Sequence, residues 1–211
     1  MTDAYINVVG AGLAGSEASW QIAKRGCRVR LYEMKPGKKS PAHKSDNFAE
    51  LVCSNSLRNA SVSSAIGLLK EELRRLGSLV MESADRCSVP AGGALAVDRK
   101  AFAELITNEI KSRNNIHIVS EEVTDISDAE YTIVATGPLT TDALSAKIKE
   151  KTGGGLYFFD ASAPIVSFES VDMTSAFFGD RYDKGNGDHV NCPMNKEEYD
   201  AFLSALLSAE R

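Results

Sequence analysis

Six residues near the start limit the fold more than any others. Gly10-Ala11-Gly12-Leu13-Ala14-Gly15 is a GxGxxG run, preceded by the apolar pentad Tyr5-Ile-Asn-Val-Val9. A glycine-rich hexamer alone is weak evidence, and its setting decides what it means. Here the pentad reads as a short buried parallel strand. Residues 16–25 read as a helix with Ala18, Ile22 and Ala23 on one face, and Gly26 ends it. Residues 27–32 read as a second strand in which Val29 and Leu31 alternate with polar neighbours. This is a βαβ unit, and it gives each glycine a role. Gly10 permits the tight turn, Gly12 lets the backbone approach a pyrophosphate, and Gly15 lets helix and strand pack closely. Ala11, Leu13 and Ala14 complete a loop whose unpaired N–H groups face an anion at the positive helix end.

The second strand runs into Glu33, 18 residues past Gly15. A carboxylate at that position accepts hydrogen bonds from ribose hydroxyls and repels a 2′-phosphate, so the site suits FAD or NAD rather than NADP. Farther along, Tyr131-Thr-Ile-Val-Ala-Thr-Gly137 resembles the segment with which two-dinucleotide flavoproteins return to the sheet. That resemblance places Thr136 and Gly137 beside the cofactor and favours FAD. The fold class that follows is α/β: a Rossmann-like FAD/NAD(P)-binding fold over residues 1–150, with insertions. Residues 151–211 are expected to begin a second, incomplete α+β region.

The other periodic segments fit this plan. Ile66, Leu69, Leu73 and Leu76 recur at helical spacing over 64–76, with Lys70, Glu71, Glu72, Arg74 and Arg75 assigned to a solvated face. Asp98 is placed to cap a helix carrying Phe102, Leu105, Ile106 and Ile110. Strands are expected at 116–120, 131–135, 156–159 and 165–168. A last helix begins at Asn195, with Glu198 as capping partner and Tyr199, Phe202, Leu203, Leu206 and Leu207 on its apolar side. Residues 35–47, with four lysines and prolines at 36 and 41, read as a surface loop or a contact for phosphate or RNA.

Composition excludes several classes. Hydrophobic residues make up 43% of the 211, enough for a core. The net charge of −5 argues against indiscriminate nucleic-acid binding by the whole chain. No apolar run reaches membrane-spanning length, and the first residues lack a signal-peptide pattern, so a cytoplasmic protein is expected. Cys27, Cys53, Cys87 and Cys192 form no CxxC pair and have no metal-ligand spacing with the three histidines, so no metal site is expected. Cys27 and Cys87 are expected to be buried free thiols.

Cys53 lies in Phe48-Ala-Glu-Leu-Val-Cys-Ser-Asn-Ser-Leu-Arg58. With this block the chain closely resembles the folate- and FAD-dependent tRNA (uracil-5-)-methyltransferases. The resemblance extends over GAGLAGSEA (10–18), LYEMKP (31–36), GLLKEELRRL (67–76), CSVPAGGALAVDR (87–99), IVATGPLT (133–140), APIV (163–166), RYDKG (181–185) and NCP (191–193). It implies transfer of a methylene group from 5,10-methylenetetrahydrofolate to uracil C5 in the tRNA T-loop, with electrons from reduced FAD and regeneration by NADH or NADPH. The target base would leave its stack. Cys53 matches a functional cysteine near the flavin. A thiolate there needs a helix start or a cation such as Arg58.

Members of the family are about twice as long, and their second functional cysteine lies beyond residue 211; Cys192 does not match it. The 211 residues alone are therefore expected not to complete methylation. A non-catalytic FAD-binding fragment and a plain NAD-dependent oxidoreductase are the alternatives. A third is the related FAD protein of the tRNA wobble uridine, whose CNPxxGG motif is absent here.

Overall fold

The pentad at residues 5–9 becomes the inner strand of a parallel sheet. A computed structural model describes residues 4–127, 130–154, 166–180 and 187–209. The chain divides into two compact units, one of residues 1–89 and 94–163, the other of residues 90–93 and 164–211.

In the first unit the elements run β1 (Tyr5–Val9), α1 (Leu13–Lys24), β2 (Arg28–Tyr32), β3 (Ser56–Asn59), α2 (Ala65–Arg75), α3 (Leu79–Arg86), β4 (Ser88–Val89), β5 (Ala94–Val97), α4 (Arg99–Lys111), β6 (Ile116–Val119), β7 (Thr132–Val134) and α5 (Asp142–Thr152). The parallel sheet has the order β6-β2-β1-β7. Val8 pairs with Leu31 on one side and Ile133 on the other. The order therefore reverses between β1 and β7. In open α/β sheets the crevice at such a reversal, outside the carboxyl ends of the strands, is where ligands bind. An antiparallel sheet, β3-β5-β4, is inserted between β2 and β6.

The core forms where the periodicity predicted it. Val8, Val29 and Leu31 are fully buried and cluster with Trp20 and Ala23 of α1 and with Phe102, Ile106 and Ile110 of α4. Burying such a side chain is worth about 1.5–3 kcal/mol. Asp98 caps α4 by accepting the Ala101 amide at 2.9 Å. Glu17 joins α1 to α3: one carboxylate oxygen accepts the Ser78 hydroxyl at 2.8 Å and the Val80 amide at 2.9 Å.

Four expectations are corrected. Helix α1 starts at Leu13 rather than Ser16, so the last motif glycine sits inside its first turn. Helix α2 turns Gly67 and Lys70 inward and leaves Ile66, Leu69 and Leu76 exposed, and of the expected stripe Leu73 packs against the core. Cys27 is exposed and Cys87 half-buried; all four cysteines are free. Cys27 lies in the turn between α1 and β2, where no packing layer covers it. Phe168–Ser170 is a 3-10 turn where a strand was expected, because the Ser170 amide and hydroxyl both return to the Ser167 carbonyl. The expected strand at 156–159, and Ile165 of the strand expected at 165–168, lie outside the described residues.

In the second unit β8 (Phe177–Phe178) pairs antiparallel with β9 (Val190–Asn191). Helix α6 (Lys196–Ser208) opens with the expected reciprocal cap of Asn195 and Glu198. Among the described residues no helix is long and apolar enough to cross a membrane.

Candidate functional site

The loop after β1 is built so that two of its glycines have no alternative. Gly10 has a φ of +96°, and a Cβ there would lie 2.8 Å from the Ala135 carbonyl oxygen. A Cβ on Gly15 would lie 1.7 Å from the Gly10 oxygen, inside any contact distance. Gly12 is different: a Cβ there meets nothing within 4 Å. It is the N-cap of α1, with no side chain capping the helix and no acidic residue in the first turn. The amides that α1 leaves unpaired at its start therefore have no side-chain acceptor, and room beside them is kept for one.

That room is a cavity of about 330 Å³ at the carboxyl ends of β1, β2 and β7. Its size falls in the range of small-molecule sites. Of the residues expected to bind a cofactor, Gly10, Gly12, Leu13, Ala14, Glu33, Thr136 and Gly137 line it together. Ala11 and Gly15 are buried behind them. The Glu33 side chain reaches back to the loop: Oε2 accepts the Ala11 amide at 2.9 Å, and Oε1 accepts the Lys35 amide at 3.1 Å. Two bonds fix the carboxylate, and each oxygen keeps further acceptor capacity for hydroxyl donors.

Residues that the motif did not reveal complete the wall. Lys35, His43, Ala49, Glu50 and Val52 come from the segment after β2, and Glu121, Glu122 and Val123 from the segment after β6. Burial pushes the Lys35 ammonium below its ordinary pKa, against the pull of the Glu33 and Glu50 carboxylates. Burial also lowers the His43 pKa, and the Lys35 charge lowers it further, so this imidazole is neutral at neutral pH. Lys38 pairs with Glu122 at 2.7 Å, holding that carboxyl below its usual range. Lys39 pairs with Asp46 at 2.7 Å. Lys38 and Lys39 are thus paired within the protein, while Lys35 and His43 of the same loop line the cavity.

Cys53 stands outside this wall. Val52 lines the cavity; Cys53 is the exposed residue after it. No helix begins there, since the next element is β3, so the helix-start route to a thiolate is absent. The backbone on both sides is unusual, with Ala49 at φ 50° and Arg58 at φ 68°. Non-glycine residues in this region cost of order 1–3 kcal/mol and are kept only where surrounding contacts hold them. Among the described residues no group of three or more His, Cys, Asp or Glu is placed to hold a metal ion.

The family described as "Glucose inhibited division protein A" matches residues 5–211. The chain belongs to that family. It is 57% identical over 211 residues to a Bacillus subtilis (strain 168) protein named methylenetetrahydrofolate–tRNA-(uracil-5-)-methyltransferase TrmFO, covering 100% of this chain and 48% of that relative. A protein of the same name from Acetivibrio thermocellus is 58% identical over 207 residues, covering 98% of this chain and 48% of its own length. The chain spans about half the length of these curated relatives. Among solved structures, GidA of Aquifex aeolicus aligns with a TM-score of 0.47 at 21% identity, over 58% of this chain and 20% of that one.

Proposed function

We propose that this member of the family forms the cofactor-binding part of a methylenetetrahydrofolate-dependent, FAD-mediated tRNA uracil-5-methyltransferase. The observation that carries the reading is the 57% identity along the whole chain to a relative of that name. The cavity supports it, since its donors and acceptors match the two ends of an adenosine diphosphate group. The unpaired amides at the start of α1 take the pyrophosphate, with Gly12 giving the close approach and Gly10 and Gly15 holding the turn. Leu13 and Ala14 belong to that first turn. Ala11 orients Glu33, which takes the ribose hydroxyls. Thr136 and Gly137 cover the cofactor from the end of β7. FAD, once bound, supplies electrons for reducing the transferred one-carbon group, and NADH or NADPH restores them. Cys53, next to a residue that lines the cavity, is the functional cysteine near the flavin and serves thiol or proton chemistry during turnover. tRNA and the folate are the substrates, and a tRNA substrate places the protein in the cytoplasm.

Four measurements test this reading. Protein purified at its native length releases FAD, not NAD, on denaturation; NAD alone would overturn the cofactor assignment. Gly12→Ala, whose added methyl enters open space, keeps the fold and weakens FAD binding at least tenfold. Cys53→Ala in the complete enzyme lowers T-loop methylation by about a hundredfold or more, the span of a lost proton-transfer or nucleophilic group. Unchanged methylation removes Cys53 from the chemistry. Residues 1–211 alone retain flavin without methylating; product formation by them would show that no later residue is needed.

A further inference from the structure

The sequence motifs leave the burial of Lys35 unexplained. Lys35 follows Glu33 by two residues, and its side chain is only 4% exposed. Its ammonium donates to the Asn47 carbonyl and lies 4.0 Å from the Glu50 carboxylate. Its own amide donates to Glu33 Oε1. The segment that Lys35 holds is fastened at two further points: the Phe48 amide donates to Thr107 Oγ1 at 2.8 Å, and the Ala49 amide to the Ala11 carbonyl at 2.8 Å. The Ala11 amide in turn donates to Glu33 Oε2. Glu33, Ala11, Ala49 and Lys35 therefore close a ring of contacts joining the ribose-side carboxylate, the glycine loop and the strand of chain that ends at Cys53.

We propose that Lys35 is a positioning residue that locks the 47–53 segment to the ribose side of the cavity, coupling cofactor binding to the placement of Cys53. An apolar side chain could fill the same space without the desolvation cost that a buried ammonium carries. The ammonium adds direction, because it fixes the Asn47 carbonyl and Glu50 relative to Glu33. Glu50 extends the hold by accepting the Lys44 and Ser45 amides at 3.0 and 3.2 Å. Coupling between two sites is reciprocal: if cofactor at Glu33 steadies the segment, steadying the segment favours cofactor. The identity of the cofactor rests on the function proposed above; the ring of contacts does not.

The test uses the protein at its native length and the variant Lys35→Met, which keeps an unbranched side chain one atom shorter and removes the charge. In cofactor-free protein, hydrogen exchange at the Ala49 amide accelerates about tenfold or more, while amides of β1 and α4 keep their protection. The dissociation constant for FAD, read by flavin fluorescence, rises about tenfold, the scale of a lost charge-assisted hydrogen bond. Iodoacetamide labelling of Cys53, followed by peptide mass spectrometry, changes with added FAD in the parent and becomes insensitive to FAD in the variant. Unchanged Ala49 exchange, or the same FAD response of Cys53 in both proteins, overturns the proposal. Accelerated Ala49 exchange in a protein that binds no FAD supports the lock and overturns the cofactor reading instead. Should Lys35→Met lose protection throughout, Glu50→Gln, which removes one anchor of equal size, is judged by the same exchange criterion.

Discussion

Helices α2 and α4 read alike in sequence and behave as opposites in the fold. Each is opened by a side-chain cap, Ser64 accepting the Gly67 amide and Asp98 the Ala101 amide. Each carries apolar residues at helical spacing. In α4 that stripe is the core: Phe102, Ile106 and Ile110 are fully buried. In α2 most of it faces outward, with Leu69 54% and Leu76 64% exposed, while Leu73 is half-buried against the core. Beside Leu73, the face that α2 turns inward is held by polar contacts. Lys70 donates to the Asn59 carbonyl at 3.0 Å, and Arg74 grips Asp85 with bonds of 2.7 and 2.8 Å. Periodicity identifies a helix, but the partner surface decides which face is covered.

The largest expected effect falls on α4. Phe102→Ala empties a fully buried site and costs about 3–5 kcal/mol of stability, measured by urea denaturation. A loss under about 1 kcal/mol would mean that α4 does not carry the core, and the contrast with α2 would collapse.

What could be read in advance follows the same division. Strands β1 and β2, the glycine loop and Glu33 were legible because a local rule fixes each of them. Gly15 must be glycine against the Gly10 oxygen, and Glu33 must end the strand beside that loop. Lys35, His43, Glu50 and Val123 were not legible as one wall. They converge only after the chain passes from β2 through the 47–53 segment, and again beyond β6. Glu17 shows the same limit, since its partners Ser78 and Val80 lie about sixty residues away. The burial of Lys70 was hidden for a related reason: the acceptor that makes it tolerable is a backbone carbonyl, which no side-chain pattern reports.

A middle-sized effect is expected at Lys70. Lys70→Met removes the bond to Asn59 and costs about 1–2 kcal/mol at neutral pH. Its pH dependence sharpens the comparison. Burial, then the charges of Arg74 and Arg58, push the Lys70 pKa below its ordinary value. The folded state therefore gives up this proton at lower pH than the unfolded state does. Between the lowered value and the ordinary lysine value the unfolded chain binds more protons, so stability rises with pH across that window. The difference in stability between parent and Lys70→Met should widen as pH increases there. A difference that stays flat would mean that Lys70 is solvated and that α2 has no inward charged face.

The smallest effect belongs to the outward stripe. Leu69→Gln keeps helix propensity nearly constant and replaces a side chain that is already half in water. The change in denaturation midpoint should correspond to less than about 0.5 kcal/mol, as for other surface positions. A loss of about 2 kcal/mol or more would instead be the signature of a covered leucine, and the polar account of how α2 is held would then fail. The comparison turns on this position, because Leu69 and Ile106 both belong to apolar patterns at helical spacing and differ in what lies against them.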